Sequence, residues 1–369
     1  MSAGSEADSR FMRMALALGA RGLGTVAPNP AVGCVIVRDG VVLGRGWTQP
    51  GGRPHAEVRA LAQAGAAARG ATAYVTLEPC AHHGVTPPCA EALVAAGVAR
   101  VVTALTDPDP RVSGRGHALL RAAGIAVREG VEAEAAAVLN AGFLLRVTAG
   151  RPLVTLKLAL TLDARIATAA GESRWITGPE ARRRVHLLRA RHDAVLVGAG
   201  TARADDPDLR VRDLGIGHQP VRLVVDSRLG LSPDSRLGRS ASEGPVWLLH
   251  GPEAPKALRR EWSKRGATLI ACARDPMGRV DAADALRQLG ARGLTRVLCE
   301  GGGGLAASLL AAGLVDDLLV FSAGRVFGAD GTAGVAGLGL TTIGPRDWQL
   351  VEAQAVGADL MHHWRRLRA

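Results

Sequence analysis

The chain has 369 residues, enough for two domains of ordinary size, and 47% of it is apolar, which excludes a disordered protein. Its net charge of +11 is almost wholly arginine, since Lys157, Lys256 and Lys264 are the only lysines. That balance reads as base-composition bias or as attraction for a small phosphorylated ligand. Nucleic acid is disfavoured, because aromatics reach only 3% and the arginines are scattered.

The polar start, Met1 to Arg10, holds no apolar run fit for a secretory signal. A helix is expected over Arg10–Gly19, where Phe11, Met14, Ala15 and Leu18 recur at helical spacing. Val32–Val37 and Val41–Trp47 read as strands joined by Asp39-Gly40, a strong hairpin signal. A helix begins near Pro54-His55 and ends at Gly65. Ala73–Leu77 reads as a buried strand, followed by a Pro/Cys/His loop and a helix over Ala90–Ala96. A strand over Val101–Leu105 and helices near Gly116–Ala123 and Glu132–Val147 close the first unit.

The turn-rich Thr148-Ala149-Gly150-Arg151-Pro152 is the expected linker, dividing the chain into 1–148 and 149–369. Strands then follow at Leu153–Leu158, Ala194–Val197, Val221–Val225, Val246–Leu249, Arg296–Cys299 and Leu318–Phe321. This alternation with helices predicts an α/β protein whose sheets are largely parallel and covered on both faces. The longest oily stretch, Leu305–Val315, is about half a membrane span, so no membrane is expected. Cys34, Cys272 and Cys299 lie in apolar runs and read as core residues. Five cysteines make no disulfide framework, and a reducing, cytoplasmic compartment is expected.

His55-Ala56-Glu57 opens a helix, Glu78-Pro79-Cys80 follows a strand, and Cys89 follows Pro87-Pro88. One imidazole and two thiolates, from His55, Cys80 and Cys89, leave a tetrahedral position open, the pattern of a catalytic zinc site. Both thiolates are expected at helix N-termini, where the dipole stabilises them. Glu57, two residues past His55, is placed to move protons without being a ligand. Against this stands a helix-capping His55 with incidental cysteines, which leaves the ordered ligand set unexplained. His82 and His83 read as pocket-lining or water-facing residues. Nucleoside and nucleic-acid deaminases pair H-x-E with P-C-x-x-C; here eight residues separate the cysteines. In the second half, Glu300-Gly301-Gly302-Gly303-Gly304 lies between a strand and an apolar helix. The run either admits a phosphate to the helix amides or makes a simple tight turn, and it matches no standard dinucleotide or NTP loop.

The run Glu78 to Cys89, with Pro28-Asn29-Pro30-Ala31-Val32-Gly33 upstream, resembles the bifunctional riboflavin-biosynthesis deaminase–reductases. Lys157–Ala167, Gly171–Thr177 and Ala204–Pro207 resemble the same family's C-terminal domain, and the similarity runs from Phe11 to about Leu340. The resemblance implies a cytidine-deaminase-like domain followed by a dihydrofolate-reductase-like α/β domain. It implies zinc and NADPH as cofactors. It also implies hydrolytic deamination of 2,5-diamino-6-(5-phosphoribosylamino)pyrimidin-4-one, then reduction of the ribosyl group to ribityl. The expected partner is that small phosphorylated substrate, with a homo-oligomer formed through the reductase domain.

Carried over by position, Asn29 contacts the pyrimidine, and Asp107 with Asp109 lies near the ribose. Ala159, Trp175, Thr201, Asp205, Ser227 and Gly302 to Gly304 meet the cofactor. Ser173, Arg189, Leu209, Arg212 and Glu300 meet the substrate. Asp205 is the expected proton handler in the reductase, with Lys157 next in line; its other reading is a turn former before Asp-Pro. Arg189 and Arg212 read as phosphate clamps or as solvated charges, and Trp175 as a cofactor contact or a core residue. Thr48, Ala81, Asp109 and Ala164 depart from the family's usual His, Ser, Asn and Gly. The rival functions are a nucleic-acid deaminase with an appended binding domain, which lacks its C-x-x-C pair here, and a zinc module without catalysis, which Glu57 argues against.

Overall fold

In a computed structural model, residues 3–83, 87–109, 113–344 and 346–367 are described; Gly84, Val85 and Thr86 of the cysteine loop lie outside them. The chain forms two compact units, Met1–Gly150 and Arg151–Ala369.

The first unit runs α1 (Ala3–Gly19), β1 (Gly33–Arg38), β2 (Val41–Trp47), α2 (Ala56–Ala64), β3 (Thr72–Val75), α3 (Cys89–Ala95), β4 (Arg100–Thr103), α4 (Arg115–Ala122), β5 (Ala126–Arg128), α5 (Ala133–Leu139) and α6 (Ala141–Ala149). Asp39 and Gly40 both adopt positive φ, 54° and 76°, which the tight hairpin between β1 and β2 requires. The sheet order is β2-β1-β3-β4-β5. It is mixed rather than largely parallel: β1 pairs antiparallel with β2 and β3, while β3, β4 and β5 run parallel. Apolar side chains pack on both faces, Ile36, Val75, Leu93 and Leu120 on one and Phe11, Met12, Val35 and Val102 on the other.

Three expectations are corrected. Helix α1 starts at Ala3 rather than Arg10, because Asp8 is buried by ties to the sheet. It accepts from the Tyr74 hydroxyl at 2.9 Å and from the guanidiniums of Arg100 and Arg128 at 2.6 Å and 2.7 Å. The helix expected over Glu132–Val147 is two, broken at Asn140, whose Oδ1 accepts the Ala31 N–H at 3.0 Å. Cys80 lies in a loop rather than at a helix N-terminus; Cys89 alone opens a helix.

The second unit runs β6 (Leu153–Thr161), β7 (Arg165–Ala167), α7 (Pro179–Ala190), β8 (Ala194–Gly198), α8 (Ala199–Asp205), β9 (Val221–Val225), α9 (Arg236–Arg239), β10 (Val246–His250), α10 (Lys256–Lys264), β11 (Thr268–Ala271), α11 (Ala282–Ala291), β12 (Arg296–Cys299), α12 (Gly303–Ala311), β13 (Asp317–Ala323), β14 (Thr332–Ala333), β15 (Trp348–Val356) and β16 (Asp359–Arg366). Its main sheet has the order β11-β10-β9-β8-β12-β6-β13-β16-β15, parallel from β11 to β13 and antiparallel through β16 and β15. β15 was not anticipated because it is an edge strand exposed on both faces, which leaves no buried alternation to read. Among the described residues no helix is long and apolar enough to cross a membrane.

Candidate active sites

In the first unit the starts of α2 and α3 and the loop that carries Cys80 bring three donors together. His55 precedes α2 with an extended backbone, φ −69° and ψ 162°, yet its side chain makes no capping bond. The imidazole turns instead toward sulfur: Nδ1 is 3.3 Å from Cys89 Sγ and 3.7 Å from Cys80 Sγ. The capping reading of His55 therefore fails. All three donor atoms lie within 4.8 Å of one another. Donors sharing a zinc ion tetrahedrally at about 2.0–2.3 Å sit roughly 3.5 Å apart, so these residues fit zinc with one position left over.

The first N–H of α3, from Cys89, donates to Cys80 Sγ at 3.3 Å. The Cys89 thiol and His55 pull the pKa of Cys80 down to about 4, while the same contact with Cys80, with burial, pushes Cys89 up. Glu57 stands in the first turn of α2, 4% exposed, beside the Cys89 thiol. Burial raises its carboxyl above the usual range, which suits a group that takes up and returns a proton. His82 and His83 stay outside the cluster, and His83 pairs with Glu91 at 3.1 Å on the surface.

Around this centre, Asn29 donates to the Gly52 carbonyl at 2.8 Å, which fixes its amide. Asp107 is buried, pushed up to about 6 chiefly by that burial, and accepts the Asp109 N–H at 2.9 Å. Thr48, 2% exposed, spends its hydroxyl on the Val32 N–H at 3.1 Å, so the position expected to grip phosphate holds backbone here.

In the second unit a cleft of about 1420 Å³ opens at the carboxyl ends of β6, β8, β9 and β12, where open α/β sheets bind ligands. It brings together every residue expected for the reductase: Ala159, Ser173, Trp175, Arg189, Thr201, Asp205, Leu209, Arg212, Ser227, Glu300 and Gly302 to Gly304. The glycine run opens α12 onto the cleft, with Gly301 at φ 96°. The Gly302 N–H donates to Thr201 Oγ1 at 3.0 Å, and a Cβ on Gly302 would fall 2.7 Å from that oxygen. Trp175 is 62% exposed, with the Arg182 guanidinium 4.6 Å above its ring, so the core reading fails. Asp205 ends α8 and its carbonyl accepts from Arg174; the left-handed turn residue is Asp206, φ 40°. Ser227 Oγ accepts the Val280 N–H at 2.9 Å and closes one wall.

The two arginines differ. Arg189 is committed to Glu300 and to the Arg210 carbonyl at 2.9 Å, whereas Arg212 is half exposed, its Asp208 neighbour 4.0 Å away. Two further cleft residues bear on the chemistry: Lys157, expected as the alternative to Asp205, and His186, which was not among the expected contacts. Lys157 lines the cleft with Glu300 and Arg189, and burial foremost lowers its pKa. His186, also pulled down by burial, uses Nδ1 to accept the Arg212 N–H at 3.3 Å. The signal for His186 was its spacing, one helical turn before Arg189 on α7.

Residues 5–105 match the family described as the cytidine and deoxycytidylate deaminase zinc-binding region, and residues 152–362 match the RibD C-terminal domain. The riboflavin biosynthesis protein RibD of Escherichia coli is 44% identical over 96% of this chain and 98% of its own length. That of Haemophilus influenzae is 41% identical over 96% of each. The RibD structure from Acinetobacter baumannii superposes with a TM-score of 0.89 at 38% identity, covering 99% of this chain and 100% of that one. A Thermotoga maritima structure, described as a diaminohydroxyphosphoribosylaminopyrimidine deaminase/5-amino-6-(5-phosphoribosylamino)uracil reductase, gives 0.87 at 34% identity over 99% and 100%.

Proposed function

We propose that these two sites act in succession on one substrate, since the chain belongs to the RibD family, the bifunctional deaminase–reductases of riboflavin biosynthesis. It is an α/β enzyme with a zinc-binding deaminase domain and an NADPH-dependent reductase domain. We assign the first to 1–148 and the second to 149–369, a division adjoining the Gly150–Arg151 boundary between the compact units.

The substrate of the first site is 2,5-diamino-6-(5-phosphoribosylamino)pyrimidin-4-one, and the product of the second is 5-amino-6-(5-phosphoribitylamino)uracil. The observation that carries this is Glu57, buried beside the His55, Cys80 and Cys89 donors. Bound there, zinc supplies the Lewis acidity that makes water a usable nucleophile at neutral pH. Glu57 takes the proton from the attacking water and delivers it to the departing amine. Asn29 orients the pyrimidine, and Asp107 with Asp109 meets the ribose.

In the cleft, NADPH supplies the hydride for C1′ of the ribose. Ala159, Trp175, Thr201, Ser227 and Gly302 to Gly304 would hold it, the glycine run at the start of α12 letting phosphate approach the positive end of that helix. Arg212 clamps the substrate phosphate, Ser173 and Leu209 shape its seat, and Asp205 manages the proton. Arg189 holds Glu300, which would meet the hydroxyls of the ribosyl group. Incubating the pyrimidine substrate with the zinc-loaded protein, with and without NADPH, tests the assignment. Mass spectrometry should show the deaminated species alone without NADPH and the ribityl product with it.

The exposed edge of β15, which carries Leu350 and Val351 at 47% exposure each and pairs only with β16 among the described residues, supports a homo-oligomer formed through this unit. Five free thiols accord with a reducing cytoplasm.

A further inference from the structure

We propose that Glu78 is a positioning residue of the deaminase site, holding the loop that carries Asp107 and Asp109 in register with the segment that carries Cys80. Glu78 stands two residues before Cys80 and is 4% exposed, so it faces protein on every side. Its carboxylate accepts four backbone N–H groups. Oε2 takes those of Asp107 at 3.1 Å and Gly114 at 3.0 Å; Oε1 takes those of Gly116 at 2.8 Å and His117 at 3.3 Å. Gly114, Gly116 and His117 belong to the start of α4, whose first amides have no partner within the helix. A residue serving only as a helix cap would stop there. The fourth bond reaches the Asp107 loop, which the Glu78 N–H also grips through the Leu105 carbonyl at 2.8 Å.

The packing behind this tie is backbone against backbone. A Cβ on Gly116 would fall 2.0 Å from the Pro79 carbonyl oxygen and 3.1 Å from Glu78 Oε1. The start of α4 therefore rests directly on the segment leading to Cys80. One carboxylate thus joins three pieces of chain: the approach to the metal ligand, the first turn of α4, and the loop that presents Asp107. The metal donors have holds of their own: His55 sits at the start of α2, Cys89 at the start of α3, and the Cys89 N–H holds the Cys80 sulfur at 3.3 Å. What it sets is the distance at which Asp107 and Asp109 meet a substrate already anchored at the metal. This rests on reading those two aspartates as ribose-side residues.

The test uses the full-length, zinc-loaded protein carrying Glu78→Gln, which keeps size and one acceptor oxygen but puts an N–H₂ against two backbone donors. With hydrogen bonds to a charged acceptor lost, the deaminase KM should rise roughly 10- to 100-fold. kcat should stay within about threefold, as expected when only ground-state positioning is lost. Zinc should remain at one per chain, and NADPH-dependent reduction of pre-deaminated substrate should be unchanged. Gly116→Ala, which pushes α4 off the same carboxylate, should give the same KM defect, and the double variant should be no worse than either.

An unchanged KM, a loss confined to kcat, or loss of zinc from Glu78→Gln would each overturn the proposal. Asp107→Asn separates it from the reading beneath it. If that variant leaves KM unmoved while Glu78→Gln raises it, the tie stands and the ribose role of Asp107 fails. The opposite pattern leaves the ribose role standing and removes the tie.

Discussion

Arg189 and Glu300 meet side by side, Nε to Oε1 at 2.5 Å and Nη2 to Oε2 at 2.8 Å, and both are nearly buried. Removing one partner of a buried pair strands the other charge at a cost of about 3–5 kcal/mol. Arg189→Ala should therefore lower the denaturant midpoint of the second unit, while ammonia release by the first stays near wild type. A stable Arg189→Ala with an intact midpoint would show that the pair is dispensable.

Glu57 should separate metal from chemistry. Glu57→Gln should keep one zinc per chain by elemental analysis and lose ammonia release by about 10²–10⁴-fold, the contribution of a positioned proton carrier. Reduction of pre-deaminated substrate should continue. Loss of zinc in this variant would make Glu57 part of the metal's hold.

Asp205→Ala should abolish NADPH oxidation on the deaminated substrate and leave ammonia release intact. If oxidation persists, Lys157→Met becomes the decisive variant, because Lys157 faces the same cleft and burial favours its neutral amine.

Ala164 occupies the β6–β7 turn with φ 62°, a conformation that costs a residue with a Cβ about 1 kcal/mol. Ala164→Gly should raise the melting temperature of the second unit by a few degrees. A lower melting temperature would mean that the added freedom of the unfolded chain outweighs the relief of strain.

His192 is buried, and burial holds its pKa at about 4, below the 6.5 of a free imidazole. Its Nδ1 meets the Leu188 carbonyl at 2.7 Å and its Nε2 the Thr155 hydroxyl at 2.9 Å, a set that suits the neutral ring. Between these pH values the unfolded chain binds the extra proton, so stability falls as pH drops from 6.5 toward 4, by up to about 3 kcal/mol. His192→Gln should flatten that part of the stability profile of the second unit.

The zinc centre was legible because His55, Glu57, Cys80 and Cys89, in that order, form a combination rare enough to carry meaning without geometry. The hairpin at Asp39-Gly40 was legible because the turn is decided by two adjacent residues. Long-range electrostatics was not. Asp8 looks like a surface residue until Tyr74, Arg100 and Arg128 arrive from three strands. Arg189 and Arg212 read alike in the sequence and part only because Glu300, 111 positions from Arg189, claims one of them. β15 stayed hidden because most of its residues are exposed, and β16 because only Asp359 and Met361 of its residues are buried, which leaves no apolar period.

The scarcity of lysine gives the cleft an address of its own. Two of the three amines, Lys256 and Lys264, stand in solvent on α10, and the third, Lys157, lines the reductase cleft. An amine-acylating reagent meets a lysine of the cleft at a single position, one whose burial favours the reactive, uncharged form. Progressive acylation followed by peptide mapping would therefore report occupancy of the cleft by cofactor as protection of one peptide, with the α10 peptide as an internal standard in every sample.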